Sequence, residues 1–155
     1  MLYTLMRFFS RRLGLGMSFI ALSTTAYAAE PSPIGLWKTI DDSTGQPRGL
    51  VRIREVNGQY EGKVEKIFPK PGEPANPRCE KCDGNRRDQP VMGMTILWGL
   101  TRQGDEYQDG EILDPENGKV YRSRIKLVDN GKKLDVRGFI GFSLFGRSQI
   151  WLREE

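Results

Sequence analysis

The sequence predicts a single all-β domain that follows a cleaved N-terminal signal peptide. Three observations predict it: apolar and polar residues alternate over strand-length stretches, turn dipeptides separate these stretches, and the N-terminus is built like an export signal. No window after Glu30 has the apolar spacing of a helix. We expect an eight-stranded antiparallel up-and-down barrel, because closure pairs the backbone groups that an open sheet edge leaves free.

The first 29 residues contain no acidic side chain and have the layout of a secretory signal. Their positive charges are Arg7, Arg11 and Arg12. The uncharged run at 13–29 is too short, and too rich in Gly, Ser and Thr, for a membrane-spanning helix. Ala26-Tyr27-Ala28 supplies a small-x-small cleavage site, so we expect residues 1–28 to be removed and the mature chain to have no membrane span.

The charge of the chain is nearly balanced once this segment is set aside. The full sequence has 24 Lys and Arg residues against 20 Asp and Glu residues, and three of the cations precede the cleavage site. The remaining 21 cations against 20 anions give no reason to expect nucleic acid as a partner. Residues 29–155 suffice for one domain with one core.

Eight strands are expected in the mature chain. They cover residues 34–40, 49–56, 59–67, 91–101, 106–113, 119–128, 132–140 and 147–153. Because alternation alone does not prove closure, a two-sheet sandwich is the alternative to a barrel. In a barrel of eight strands the interior is either filled by side chains or holds one small ligand.

Asn57-Gly58 predicts a type I′ hairpin turn, since both central residues of that turn need a positive φ. Folding the chain there places Val51 opposite Val64 and Arg54 opposite Glu61. This register pairs apolar residues with each other and pairs opposite charges with each other. A shift of one residue between the strands would break both kinds of pair.

Asn130-Gly131 predicts a second hairpin by the same argument. Its register places Ile125 opposite Val136 and Lys126 opposite Asp135.

The Asp-Pro-Glu-Asn-Gly segment at 114–118 suits a longer hairpin loop. Centring the hairpin there sets Glu111 against Arg122 and Asp109 against Arg124. Asp109 and Glu111 are spaced as a catalytic carboxylate pair could be, but an arginine opposite each favours an outward row of salt bridges.

Five segments together resemble one bacterial family. They are Gly35-Leu36-Trp37, Cys79-Glu80-Lys81-Cys82, 110–121, 136–147 and Trp151-Leu152-Arg153. The first is similar to the Gly-x-Trp signature of lipocalins, and the whole set resembles the exported bacterial family of domain of unknown function 2147. The resemblance implies a lipocalin-like barrel as the single domain at 34–153, a periplasmic location and no established activity.

The lipocalin resemblance also implies structural roles for residues at one end of the barrel. Gly35, Trp37, Trp151 and Arg153 are expected to be structural. In lipocalins an arginine near the C-terminus commonly packs on the first-strand tryptophan, and here either Arg153 or Arg147 is expected to pack on Trp37.

Cys79 and Cys82 are the only cysteines, and in an exported protein they predict a disulfide that staples a short turn. A redox-active pair is the alternative, because the nearby basic residues would lower the pKa of a thiol. The chain has no histidine, so its two thiolates supply only half of a closed zinc site, and the usual general base of nucleophilic catalysis is missing. We expect no metal, no cofactor and no catalytic residue.

The connection at 68–90 contains both cysteines and five of the nine prolines. Proline favours stiff, extended backbone, and long loops in compact domains are commonly functional. The segment is therefore either a lid or docking surface at the barrel mouth, or a structural crossover.

Aromatic residues predict the ligand site, because ligand pockets are lined by apolar and aromatic groups. The residues expected to line it are Trp37, Tyr60, Trp98, Tyr121 and Phe139. Of these, Tyr60, Trp98 and Tyr121 are expected to point inward. The apolar segment 141–146 breaks the alternation, and we expect a corner tucked into the core rather than an exposed lip.

These observations favour a non-enzymatic periplasmic protein that binds a small hydrophobic molecule in its barrel. The second hypothesis is an envelope module for protein–protein interaction with a solidly packed barrel, and the third is a Cys-x-x-Cys thiol redox protein. The expected partner is accordingly a small apolar molecule or an envelope protein.

Overall fold

The computed structural model describes residues 30–155, so the expected signal peptide at 1–28 lies outside the described residues. Eight antiparallel strands form a closed barrel in sequence order, which confirms the predicted fold class. The strands are β1 Gly35–Ile40, β2 Pro47–Val56, β3 Gln59–Ile67, β4 Thr95–Gln103, β5 Glu106–Asp114, β6 Lys119–Val128, β7 Lys133–Phe139 and β8 Gly146–Arg153. A short 3-10 helix, Gly84–Arg86, lies in the connection between β3 and β4.

Two of the three predicted hairpin registers are confirmed. Val51 pairs with Val64 in the β2–β3 hairpin, across Asn57-Gly58, where both residues have a positive φ. Lys126 pairs with Asp135 in the β6–β7 hairpin. In both cases the turn residues determine the register, and the register brings apolar side chains together in the lumen.

The third register is confirmed at Glu111, which pairs with Arg122, but it is wrong at Asp109. A β-bulge in β5 takes Asp109 out of the ladder, with a φ of 62°. Arg124, the partner expected for Asp109, forms a salt bridge with Glu106 at 2.8 Å instead.

A second correction concerns β4, which begins at Thr95, later than expected. Gly99 has a φ of 75° and interrupts the alternation of the strand. Leu97 and Leu100 are therefore both buried in the lumen, although they are three positions apart. Trp98 consequently faces outwards, whereas strict alternation from Leu100 placed it inside.

The lumen is filled by apolar side chains over the half of the barrel that contains the start of β1 and the end of β8. The buried residues there include Trp37, Val51, Ile53, Leu97, Leu100, Ile125, Leu134 and Trp151. Gly62 shows how tightly they pack, because a Cβ at this position would lie 3.0 Å from Val51 and 3.1 Å from Leu97. This half of the barrel is a packed core.

Trp37 closes the barrel at the end where β1 begins and β8 ends. The Arg153 guanidinium lies 4.2 Å from the centre of the Trp37 ring, so Arg153, not Arg147, is the packing arginine. The indole Nε1 donates a hydrogen bond to the Pro33 carbonyl at 2.8 Å. Gly35 has a φ of 140°, and a Cβ there would lie only 2.8 Å from the Arg153 Nη1, so glycine is needed beside the stacked arginine.

Arg153 also donates hydrogen bonds to main-chain carbonyls of separate segments. Its Nε donates to Gly131 at 2.6 Å, its Nη2 to Ser32 at 2.6 Å and its Nη1 to Ile34 at 3.0 Å. Burial lowers the pKa of Arg153, but the guanidinium stays charged because its ordinary pKa lies far above neutrality. This side chain ties the segment before β1 to the β6–β7 turn.

Replacing Arg153 with Ala is expected to lower the free energy of unfolding by about 2–4 kcal/mol, because several carbonyls lose a charged donor. Arg153→Lys should recover less than half of the loss, since an ammonium group reproduces neither the planar fork nor the stacking on Trp37. Urea unfolding followed by tryptophan fluorescence measures both variants. Arg54→Ala, at an exposed arginine, is the control, and equal midpoints for R153A and R54A would contradict the role of Arg153.

Candidate functional site

A cleft lies at the open end of the barrel, opposite the end that Trp37 closes. It has a volume of about 560 Å³ and is formed by the β1–β2 loop and the first residues of the β3–β4 connection. This volume falls within the range of small-molecule pockets. The lining residues are Lys38, Asp41, Thr44, Gln46, Pro47, Arg48, Phe68, Pro69, Lys70 and Pro71.

The cleft exists because two strands end irregularly at this rim. The β1–β2 ladder shifts register after Thr39, which leaves Arg48 unpaired within it. The Phe68 N–H donates to the Arg48 carbonyl at 2.9 Å and holds the end of β3 against β2. Pro69 lacks the N–H that a further ladder bond needs, so the chain leaves the barrel here and forms one wall of the cleft.

Ion pairs border the cleft. Lys70 meets Asp41 at 2.7 Å, and Arg48 meets Glu73 at 2.7 Å. Arg48 also contacts Glu116 of the β5–β6 turn at 2.9 Å. One guanidinium therefore links β2, the long connection and the β5–β6 turn at the open end.

These contacts lower the pKa of both carboxyl groups. The hydrogen bond from the Lys70 ammonium, followed by that from the Ser43 hydroxyl, holds the pKa of Asp41 far below its usual range. The backbone N–H of Lys70 is the largest cause of the lowered pKa of Glu73, and Arg48 is the next. Both carboxylates are ionised and paired at neutral pH.

The predicted disulfide between Cys79 and Cys82 is confirmed, and both cysteines are buried. They belong to one apolar cluster with Ile96 and Leu113, whose side chains lie on the outer face of β4 and β5. The Cys79 Sγ lies 3.4 Å from the carbonyl oxygen of Pro115. The long connection is thus packed against the barrel wall and the β5–β6 turn.

Gly118 allows the β5–β6 turn to approach the disulfide loop closely. It has a φ of 74°, and a Cβ at this position would collide with the Lys81 carbonyl. A side chain here would separate the two segments, so this glycine keeps the connection in place.

The structure does not bring the five predicted ligand-binding residues together. Trp37 is covered by Arg153 at the closed end. Tyr60 is half-buried and packs edge-to-face against Tyr107, with ring centres 4.7 Å apart. Trp98 lies on the outer face of the barrel, contrary to expectation, and the Arg86 guanidinium stacks 4.3 Å from its ring centre.

The other two predicted residues, Phe139 and Tyr121, do not line one cleft together. Phe139 lies on the outer face of β7, and the Arg122 guanidinium is 5.7 Å from its ring centre. The Tyr121 hydroxyl accepts a hydrogen bond from Asn117 Nδ2 at 3.1 Å. Tyr121 and Ile140 line a second cleft of about 510 Å³ beside the disulfide loop.

Sequence reasoning missed Phe68, Arg48 and Lys70, which build the first cleft. The signal that could have found them is the aromatic residue followed by prolines, Phe68-Pro69-Lys70-Pro71, at the end of a strand. Such a segment must leave the sheet and expose an apolar wall at the rim.

The predicted carboxylate pair is held by other side chains. Trp98 Nε1 donates to Glu111 at 2.8 Å, and Gln103 Nε2 donates to Asp109. Among residues 30–155, His, Cys, Asp and Glu side chains form no group of three or more that could hold a metal ion. In the same part of the chain, no helix has the length and apolar character needed to cross a membrane.

Acidification is expected to loosen the cleft wall. A carboxyl group whose pKa is lower in the folded protein than in the unfolded chain stabilises the fold at any pH above the pKa of the unfolded chain. That contribution is lost as the pH falls through the pKa of the folded protein. Between pH 6 and pH 3.5, the hydrogen-exchange protection factor of the Lys70 amide, which donates to Glu73 at 3.0 Å, should fall at least about threefold. Glu73→Gln should flatten this pH step. The Ile125 amide in β6 is the internal control, and an equal fall there would contradict a local effect.

Comparisons with known proteins agree with the fold. The family model described as "Uncharacterized protein conserved in bacteria (DUF2147)" matches residues 35–153. The structure is similar to that of protein HP1028 from the human pathogen Helicobacter pylori, which is described as belonging to the lipocalin family. That similarity has a TM-score of 0.67 at 18% sequence identity and covers 79% of this chain and 82% of the other. No curated protein matches the sequence. A match over nearly all the described residues, on a closed lipocalin-like barrel, shows that the chain belongs to the DUF2147 family of bacterial proteins.

Proposed function

We propose that this protein is a non-enzymatic binding protein of the bacterial periplasm that holds a small, largely apolar molecule. The ligand binds in the cleft at the open end of the barrel rather than in the packed half of the lumen. One observation carries the proposal: the cleft combines a wall of Phe68 and three prolines with a volume suited to a small molecule. The lipocalin-like fold supports it, because the mouths of β-barrels are common ligand sites.

The charges around the cleft favour a largely apolar ligand. Lys38 pairs with Glu154 at 2.5 Å, and the other two cations, Arg48 and Lys70, are paired as described above. An anionic ligand would have to compete with a carboxylate for each of them. Phe68 offers apolar surface that gains free energy simply by leaving water.

The periplasmic location is supported by the predicted signal peptide and by the disulfide. A Cys79–Cys82 bond that holds a turn is typical of an oxidising compartment. The same bond argues against the thiol redox hypothesis, because exchange needs an accessible sulfur and both cysteines are buried.

The packed half of the lumen favours a second candidate, the envelope interaction module. In that case the barrel is a rigid support, and the packed connection at 68–94 presents the surface that a partner protein recognises. The two candidates differ in a directly measurable way, because only the first requires a small molecule on the protein.

Phe68→Ala is expected to lower the occupancy of a bound small molecule at least about fivefold, because the main aromatic wall of the cleft is lost. The measurement is native mass spectrometry of protein purified from its own cells, before and after extraction with organic solvent. Val56→Ala, at an exposed apolar position at the far end of β2, is the matched control.

An extra mass that is lost in F68A and kept in V56A supports the cleft. An extra mass that F68A retains would place the ligand elsewhere. A bare polypeptide in the wild-type protein would contradict the small-molecule function and favour the interaction module.

A further inference from the structure

Four large apolar side chains protrude from the β7–β8 hairpin loop, residues 140–145, here called the apolar tip. Ile140, Phe142, Leu144 and Phe145 are 67%, 79%, 86% and 75% exposed, whereas no other large hydrophobic residue among 30–155 is more than half exposed. The expectation of a corner tucked into the core is therefore wrong. β7 and β8 remain paired as far as the loop, because the residue before the loop pairs with the residue after it. This pairing carries the tip beyond the rim of the barrel.

The backbone of the apolar tip is hydrogen-bonded from within. The Ile140 N–H donates to the Phe145 carbonyl at 3.3 Å, and the Phe145 N–H donates to the Phe142 carbonyl at 3.0 Å. Arg137 donates to the Ser143 carbonyl through Nε at 2.8 Å and through Nη2 at 2.5 Å. Unpaired backbone groups make it costly for a loop to enter an apolar medium, so these bonds lower the cost of insertion for this loop.

Positive charge lies directly behind the apolar tip. Arg137 binds its carbonyls and the Ser148 hydroxyl, and Arg122 lies over Phe139, the last residue of β7. Within residues 30–155, neither arginine takes part in an ion pair with a carboxylate. Apolar side chains backed by unneutralised arginines match an anionic lipid surface, which is apolar within and negative at its boundary.

We propose that the apolar tip inserts into the headgroup region of an anionic lipid bilayer and docks the open end of the barrel there. The shape favours lipid over a protein partner. Side chains that are each at least two-thirds exposed form a projection rather than a flat patch, and a stable protein interface needs roughly 800 Å² from each partner. Insertion at a lipid boundary needs only a few apolar side chains assisted by basic residues.

Vesicle flotation tests this proposal with the purified protein, using vesicles of phosphatidylglycerol and phosphatidylethanolamine against vesicles of phosphatidylcholine. The wild-type protein should partition onto the anionic vesicles at least about tenfold more strongly at low salt, and added salt should reduce the difference. The double variant F142S/F145S should lose at least about tenfold of the anionic binding. Val56→Ser, an exposed apolar position at the closed end, should change it less than about twofold.

All three proteins have the same first 29 residues, so any vesicle binding by that segment cancels in the comparison. Near-ultraviolet circular dichroism verifies that the variants keep the packed lumen. As a second readout, Phe142→Trp should shift its emission to shorter wavelength on anionic vesicles and be quenched by brominated lipid.

Three results would overturn the proposal. The first is wild-type protein that does not bind anionic vesicles. The second is F142S/F145S that binds them as strongly as V56S. The third is self-association in the ultracentrifuge that F142S/F145S abolishes, without vesicle binding, which would show that a second copy covers the tip.

Discussion

Closure of the barrel depends on a short seam between β1 and β8. These strands pair at two positions, Trp37 with Arg153 and Lys38 with Leu152, whereas β7 and β8 pair at seven. Backbone hydrogen bonds between Leu36 and residues 154 and 155 extend this short ladder, and side chains add to its stability. Arg153 does so directly, because the residue that pairs with β1 also stacks on Trp37 and covers the end of the lumen.

The strand pattern and most of the register could be predicted because turn chemistry and alternation are local properties. The bulges could not. The extra residue at Asp109 and the positive φ at Gly99 each shift the parity of their strand, and every side chain beyond them changes face. Trp98 was misplaced for this reason alone. A glycine inside a strand indicates that a bulge can form there, but it does not say which residue leaves the ladder.

The candidate site was harder to predict because distant segments build it. Arg48 meets Glu116, 68 positions away, only once the barrel has closed. The aromatic residues that suggested a pocket are used instead in stacking on arginines, as at Trp98 with Arg86. Such pairs leave no trace in spacing or composition, so aromatic content did not predict which of these residues lie together in the folded barrel. Phe68 could have been identified from the sequence, because prolines that follow the end of a strand turn the chain out of the sheet and leave the residue before them exposed at the rim.

The two ends of the barrel differ in how much of their stability comes from apolar packing. The closed end is packed with apolar side chains, whereas at the open end Arg147 and Gln149 of β8 donate to Asp42 of the β1–β2 loop. Arg48 likewise contacts Glu116 through charge. Such contacts weaken with salt and with acid, and apolar packing does not. The cleft and the apolar tip both belong to the open end, so the proposed ligand site and the proposed lipid contact lie where contacts rearrange most easily, while the packed half of the lumen keeps the strands in place.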